Sequence, residues 1–202
     1  MKALTKVLQE KMSPTVALNS LLEGNKRFTQ QLQVNRDLMS QVSDTATGQF
    51  PFAAILSCID SRVPAEIVFD QGIGDLFSVR VAGNVVNEDV LGSLEYACKV
   101  AGSKLVLVMG HTKCGAVTAA CENVELGNIT SLLAKIKPAI ALSENNSSSG
   151  AISVENVSVK NVGISIETLR KESPILAEME QQGLIQIVGA IYDVASGIVA
   201  VI

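Results

Sequence analysis

The sequence contains no tryptophan and one histidine, and aromatic residues make up 3% of its 202 positions. It has no long basic stretch, and its formal net charge at pH 7 is −4. Nucleic-acid-binding proteins present basic surfaces, often with aromatic side chains on which bases stack, so we expect no nucleic-acid partner. No Gly-x-Gly-x-x-Gly pattern follows the first core strand, which argues against a nucleotide-binding Rossmann domain.

Long uninterrupted apolar segments are also absent. The apolar C-terminal stretch contains Gln186, Asp193 and several glycines, whereas a membrane-spanning helix needs about 20 mostly apolar residues. We therefore expect no membrane partner. Residues 1–17 carry Glu10 and Lys11 where a signal peptide would need an apolar centre, and four cysteines without such a signal favour a reducing compartment. These features predict a cytoplasmic protein.

What the sequence does contain is an alternation of strand-like and helix-like segments. Apolar runs predict strands at 52–57, 76–81 and 104–110, and two further strands, 184–192 and 197–202, read as an edge hairpin. Helix-like segments start near Pro64 and cover 89–100, 115–124, 129–142 (apart from Pro138), 151–171 and 174–183, with a loop at 143–150. We predict an α/β fold with a mostly parallel central sheet of about five strands flanked by helices.

The N-terminal part is expected to form a helical arm. Ser13 can cap a helix that starts at Pro14, ends near Gln31 and carries an apolar stripe, and a polar connection follows it. The sequence leaves open whether this helix packs on its own core or against a neighbouring subunit. We predict one domain over residues 1–202, with the arm and connection at 1–48 and the α/β core at 49–202.

Three soft metal-binding side chains follow two of the predicted strands. Cys58 follows the first core strand, and His111 and Cys114 follow the strand at 104–110. Because the carboxyl ends of parallel strands meet at one edge of a sheet, we expect these side chains to converge. Two cysteines and one histidine leave one position open on a tetrahedral ion, which is typical of catalytic zinc sites. Each residue taken alone is more often structural, so the hypothesis depends on the three together.

Asp60 and Arg62 alternate with Cys58 along the chain. In an extended backbone, side chains two positions apart point to the same side, so the carboxylate and the guanidinium would share the side of the metal. Asp60 can then orient a metal-bound water, while Arg62 keeps the carboxylate ionised. One alternative is an ordinary ion pair in a loop. Another is a non-catalytic, zinc-stabilised binding module in which Asp60 is the fourth ligand.

These motifs resemble the paired signature of the β-class carbonic anhydrases. The segments that carry the resemblance are Cys58-Ile59-Asp60-Ser61-Arg62-Val63-Pro64 and Gly110-His111-Thr112-Lys113-Cys114-Gly115, supported by 74–77, 79–84, 92–97 and 189–197. The resemblance implies one Zn²⁺ per subunit on Cys58, His111 and Cys114, with Asp60 and Arg62 as a catalytic dyad. The implied reaction is reversible hydration of CO₂ to bicarbonate and a proton, by attack of zinc-bound hydroxide.

The resemblance also implies a substrate pocket and an oligomer. Gln49 matches a glutamine that helps to bind substrate from the neighbouring subunit, and Phe77, Ala82 and Tyr96 match positions that line an apolar CO₂ pocket. Ala82 is smaller than the valine common at its position. The implied smallest working unit is a homodimer, often doubled to a tetramer, with the active cleft at the subunit interface. Hydrolysis of CS₂ or COS on the same scaffold stays an alternative.

Overall fold

The computed structural model describes residues 3–144 and 153–202, and its centre is a five-stranded sheet. The strands are β1 (Ala53–Ser57), β2 (Leu76–Arg80), β3 (Leu105–His111), β4 (Gln186–Tyr192) and β5 (Val199–Val201). Their order is β2-β1-β3-β4-β5; the first four are parallel, and β5 pairs antiparallel with β4. The predicted sheet, with its hairpin at one edge, is confirmed.

Helices cover both faces of this sheet. They are α1 (Lys6–Lys11), α2 (Pro14–Thr29), α3 (Leu38–Thr45), α4 (Ala65–Val68), α5 (Glu88–Glu95), α6 (Gly115–Cys121), α7 (Gly127–Ala134), α8 (Lys137–Glu144), α9 (Val154–Glu172) and α10 (Pro174–Gln181). A 3₁₀ turn at Ala82–Asn84 follows β2, and a π-helical turn at Tyr96–Val100 follows α5. Among the described residues, no helix is both long and apolar enough to cross a membrane.

The two central strands are buried throughout because they contribute side chains to a core on each face. Ile55 and Leu107 pack with α2 and α4 on one face, whereas Leu56 and Val108 pack with α5, α9 and α10 on the other. This is the alternation expected of a strand, in which successive side chains point to opposite faces. The apolar runs of the sequence therefore correspond to strands covered on both sides.

The N-terminal helix α2 packs on the core of its own chain, which answers a question the sequence left open. Leu21 is fully buried in the core. The Asn25 side chain donates to the carbonyl oxygens of Val68 and Gly197 and accepts from the N–H of Val199. These contacts attach α2 to both the α4 region and β5.

Three segments differ from the predictions. The single helix predicted at 129–142 forms two helices, α7 and α8, and Pro138 lies inside α8. The stretch interpreted as a polar connection contains α3, which is capped by the Asp37 side chain. The loop predicted at 143–150 lies mostly outside the described residues, and its first two residues end α8. The predicted helix at 151–171 is confirmed as α9, although residues 151 and 152 lie outside the described residues.

We expect Gly24→Ala to lower the free energy of unfolding by about 1–3 kcal/mol, because overpacking a core forces neighbouring atoms to move. A Cβ atom at Gly24 would lie 1.8 Å from the carbonyl oxygen of Phe69, so α2 would have to shift away from the core. Gly163→Ala is the control: no atom lies within 4 Å of a Cβ there, and alanine favours a helix interior by about 0.5–1 kcal/mol over glycine. Chemical denaturation of both variants tests this, and equal stability changes would contradict it.

Candidate metal centre

The carboxyl ends of β1 and β3 bring the three soft donors together. Ser57 pairs with Met109 in the parallel register. The residues that follow them, Cys58 and Gly110, therefore also lie side by side. His111 ends β3, and Cys114 is the residue before the first turn of α6. Lys113 between them has a left-handed backbone (φ 54°), which turns the chain from the strand into the helix.

The three donor side chains form a compact, buried cluster. The Sγ atoms of Cys58 and Cys114 lie 4.0 Å apart, and the ligand atoms of all three residues lie within 4.8 Å of one another. Two sulfurs bound tetrahedrally to zinc at about 2.3 Å would lie about 3.8 Å apart, which this separation nearly matches. Nε2 of His111 is buried and has no hydrogen-bond partner among the described residues. The size and donor types of the cluster therefore fit a zinc ion.

The charge of the cluster also fits a divalent cation. The pKa of Cys58 is lowered chiefly because the Cys114 thiol, and also the N–H of Gly83, stabilise its thiolate. The contact between the two sulfurs raises the pKa of Cys114, so Cys114 keeps the proton that the two sulfurs share. A cation between the sulfurs would replace that proton and favour two thiolates. Zinc ligation by cysteine requires this deprotonated form.

Asp60 and Arg62 form a two-pronged ion pair beside the cluster. Nε and Nη2 of Arg62 donate to the two carboxylate oxygens at 2.9 and 2.7 Å, and the Arg62 N–H also donates to Oδ1 at 2.9 Å. These hydrogen bonds hold the pKa of Asp60 well below its ordinary value. Oδ2 of Asp60 lies 4.0 Å from Nε2 of His111, so the carboxylate borders the metal ligands but does not belong to their set.

Arg80 and Gly83 support the first ligand, and sequence reasoning did not assign either residue to the site. Arg80, the last residue of β2, donates to the carbonyl oxygens of Cys58 at 3.0 Å and Asp60 at 2.5 Å. The N–H of Gly83 donates to the Cys58 Sγ atom at 3.3 Å. An arginine at the end of a strand adjacent to β1 was the available signal for the first contact. The backbone contact of Gly83 has no signal in the side-chain pattern.

The residues predicted to line the substrate pocket are separated into two places. Ala82 directly precedes Gly83, whose N–H contacts Cys58. Phe77 and Tyr96 pack edge to face with their ring centres 6.2 Å apart, and they line a cavity of about 620 Å³ whose lining includes none of the metal-binding residues. Phe77 is level with Ala54, four residues before Cys58, which corresponds to about 13 Å along a strand. Gln49 is exposed, in the segment that precedes β1.

The ends of the central parallel strands present two cysteines, an imidazole and an adjoining carboxylate. This combination is typical of metalloenzymes that activate water at an open metal position. Comparisons with known proteins agree with this class. The family model described as carbonic anhydrase matches residues 53–199. The chain is 36% identical to carbonic anhydrase 2 of Mycobacterium tuberculosis over 191 residues, which cover 92% of this chain and 91% of that protein.

Two solved structures extend the comparison. A β-carbonic anhydrase of Aspergillus fumigatus superposes with a TM-score of 0.73 at 30% identity, covering 93% of this chain and 89% of that one. One described as a tetrameric β-carbonic anhydrase of Sordaria macrospora has a TM-score of 0.72 at 22% identity, with 93% and 94% covered, and supports the fold alone. The chain belongs to the β-carbonic anhydrase family. It is an enzyme that hydrates CO₂, as the resemblance implied.

Proposed function

We propose that each subunit holds one Zn²⁺ on Cys58, His111 and Cys114, and that Asp60 and Arg62 form the catalytic dyad for CO₂ hydration. The observation that carries this proposal is the unpartnered, buried Nε2 of His111, in a residue that clusters with the two cysteine sulfurs within 4.8 Å. Bound zinc would lower the pKa of a coordinated water and supply a nucleophile near neutral pH, as it does in the three-histidine carbonic anhydrases.

Asp60 would accept a hydrogen bond from a water at the cluster and so fix its orientation. Its two oxygens are held by Arg62, but each carboxylate oxygen has more than one lone pair, so Oδ2 can accept a second bond. Arg62 itself is anchored by donating to the carbonyl oxygen of Lys113 at 3.3 Å. The dyad therefore connects the loop after β1 to the turn that carries His111 and Cys114.

We propose that CO₂ binds in an apolar pocket formed by two subunits. Ala82 precedes the residue that contacts Cys58 in its own chain, whereas Phe77 lies too far along β2 to reach the cluster and Tyr96 packs against Phe77. This separation supports a homodimer in which Gln49, Phe77 and Tyr96 of each subunit complete the site of its partner. Pairing of two dimers into a tetramer is compatible with this arrangement.

The direct test is metal analysis of the purified wild type combined with stopped-flow CO₂ hydration. We expect one zinc per chain and hydration activity that chelation removes and zinc restores. Folded protein that binds no zinc at these residues, or that keeps its activity after complete metal removal, would contradict the proposal. Release of sulfide from CS₂ or COS without CO₂ hydration would instead favour the hydrolase alternative.

Mixing two inactive variants tests the shared site. Asp60→Asn impairs a residue that serves its own chain, and Gln49→Ala impairs a residue proposed to serve the partner. Random reassociation of equal amounts should give half heterodimers with one intact site each, so activity should recover to about a quarter of wild type. The control is each variant mixed with itself. Activity no higher than the mean of the two parents would contradict a site shared between subunits.

Turnover is expected to depend on external buffer. The single histidine of the chain is a fully buried member of the metal cluster, so no histidine remains to carry protons to solvent. Stopped-flow rates at fixed pH and ionic strength should therefore rise with buffer concentration until another step limits turnover. Rates that stay constant across buffer concentrations would contradict this prediction.

We further propose that residues 1–202 form one domain that functions in the cytoplasm. Attachment of α2 to β5 and to the α4 region by Asn25 supports a single folding unit. The four free cysteines are consistent with a reducing compartment.

A further inference from the structure

The ring of His111 is oriented by a backbone carbonyl. Its Nδ1 atom lies 2.9 Å from the carbonyl oxygen of Thr112. A carbonyl oxygen only accepts hydrogen bonds, so Nδ1 carries a proton, and the unpartnered Nε2 is the ring nitrogen that can bind a metal. The position of the Thr112 carbonyl therefore determines both the tautomer and the direction of the metal-binding nitrogen.

Thr112 is in turn held by the turn that connects β4 to β5. Its N–H donates to the carbonyl oxygen of Tyr192 at 3.0 Å, and its hydroxyl donates to Oδ1 of Asp193 at 3.0 Å. The same hydroxyl accepts from the N–H of Val194 at 3.1 Å. All three partners lie about 80 positions away in the sequence, so this contact connects the metal centre to the far edge of the sheet.

Asp193 is the residue on which this turn depends. Besides the Thr112 hydroxyl, its carboxylate accepts from the N–H of Ala195 at 3.0 Å and from the hydroxyl of Ser196 at 2.7 Å. These donors lower the pKa of Asp193, with the Ala195 N–H contributing most, so the carboxylate stays an acceptor at neutral pH. The Thr112 hydroxyl donates to Oδ1, whereas the Ser196 hydroxyl donates to Oδ2. A substitution of Ser196 can therefore remove one contact and leave the other.

We propose that Thr112 and Asp193 are positioning residues for the zinc ligand His111. The Asp193 carboxylate fixes the Thr112 hydroxyl, this fixes the Thr112 carbonyl, and the carbonyl holds the imidazole with Nε2 directed at the metal. Partners of this kind, which contact a metal ligand rather than the metal, commonly change metal affinity by about 10–100-fold when they are removed. The inference depends on the proposed zinc site and adds a role for the β4–β5 turn.

Zinc release from four variants tests the proposal. Thr112→Val removes the hydroxyl at almost constant volume and Asp193→Ala removes its acceptor; we expect both to release zinc to a chelator about tenfold faster than wild type. Thr112→Ser keeps the hydroxyl and should restore wild-type release. Ser196→Ala is the matched control, because it removes a bond to Oδ2 in the same turn and leaves the bond between Thr112 and Asp193.

Cobalt substitution supplies a second measurement that general stability would not change. The visible absorption of Co²⁺ on two thiolates and an imidazole reports the geometry of the ligands, so we expect a shifted spectrum for Thr112→Val and a wild-type spectrum for Ser196→Ala. Folded Thr112→Val with wild-type zinc release and spectrum would overturn the proposal, as would equally fast release from Ser196→Ala. If Asp193→Ala does not fold, Thr112→Val decides. Wild-type protein that binds no zinc would refute the metal site itself and, with it, this inference.

Discussion

Cys58→Ser is expected to abolish zinc binding and to reduce CO₂ hydration by about 1000-fold or more, because zinc at the proposed site would supply the nucleophile. A serine hydroxyl stays protonated near neutral pH and is a harder, weaker zinc ligand than a thiolate. The two proposed ligands that remain, His111 and Cys114, come from one short turn, and they would leave the opposite side of a bound ion open. Elemental analysis and stopped-flow hydration of the purified variant measure the two losses.

Cys121→Ser is the matched control for this variant. Cys121 ends the helix α6 that begins directly after Cys114, but it is half-buried and lies outside the metal cluster. We expect this variant to keep one zinc per chain and wild-type activity. In wild type, bound zinc should also protect Cys58 and Cys114 from thiol reagents while Cys121 reacts. Full zinc occupancy in Cys58→Ser would show that Cys58 is not a ligand.

Asp60→Asn is expected to lower kcat/KM for CO₂ hydration by about 100-fold while zinc occupancy stays at wild type, a loss in the range found when a positioned proton-transfer group is removed. The asparagine N–H₂ group would face the Arg62 guanidinium, donor against donor, so the side chain would turn away from its present position. It would also lack the charge that the two-pronged contact stabilises. Zinc should remain because Asp60 is not among the three clustered ligands.

Arg62→Lys separates orientation from charge. Lysine keeps the positive charge but cannot donate to both oxygens of Asp60 in a fixed fork, so we expect a smaller loss of about tenfold. Wild-type activity in this variant would show that Arg62 does not orient the carboxylate. Loss of zinc from Asp60→Asn would show that Asp60 is a fourth ligand, as in the non-catalytic alternative, and would contradict its proposed role as acceptor.

The sequence predicts the sheet well because its strands are covered on both faces. A strand buried on both sides needs a continuous apolar run, and the segments around Ile55 and Leu107 show such runs clearly. Strand order then brings Cys58 close to His111, so the metal cluster also follows from the sequence. Supporting contacts across the sheet are harder to predict. The bond between Thr112 and Asp193 spans 81 positions and has no local pattern.

Helix α9 shows why apolar periodicity alone places a helix but not its buried face. The apolar side chains Val162 and Leu169 are buried, but Val159 is exposed. Polar Asn161 and Ser165 are buried instead, because they donate to the carbonyl oxygens of Gly83 and Asn84. These two side chains support the turn whose N–H reaches Cys58, so the polar face of α9 stabilises the metal centre. Helix α3 gives no clear signal in the sequence because it is short and its apolar side chains, Leu38, Met39 and Val42, are exposed rather than part of a core.

The two cysteines of the cluster lie 56 positions apart in the chain and meet only when β1 has paired with β3. In an unfolded chain only His111 and Cys114 are close enough in sequence to bind zinc together. The folded state should therefore bind zinc more tightly than the unfolded state. Free energy of binding is then added to the free energy of folding, and the melting temperature should rise with the concentration of free zinc. If zinc binds there as proposed, it would reversibly cross-link the two cysteines and close a long loop, so removal of zinc should lower the melting temperature.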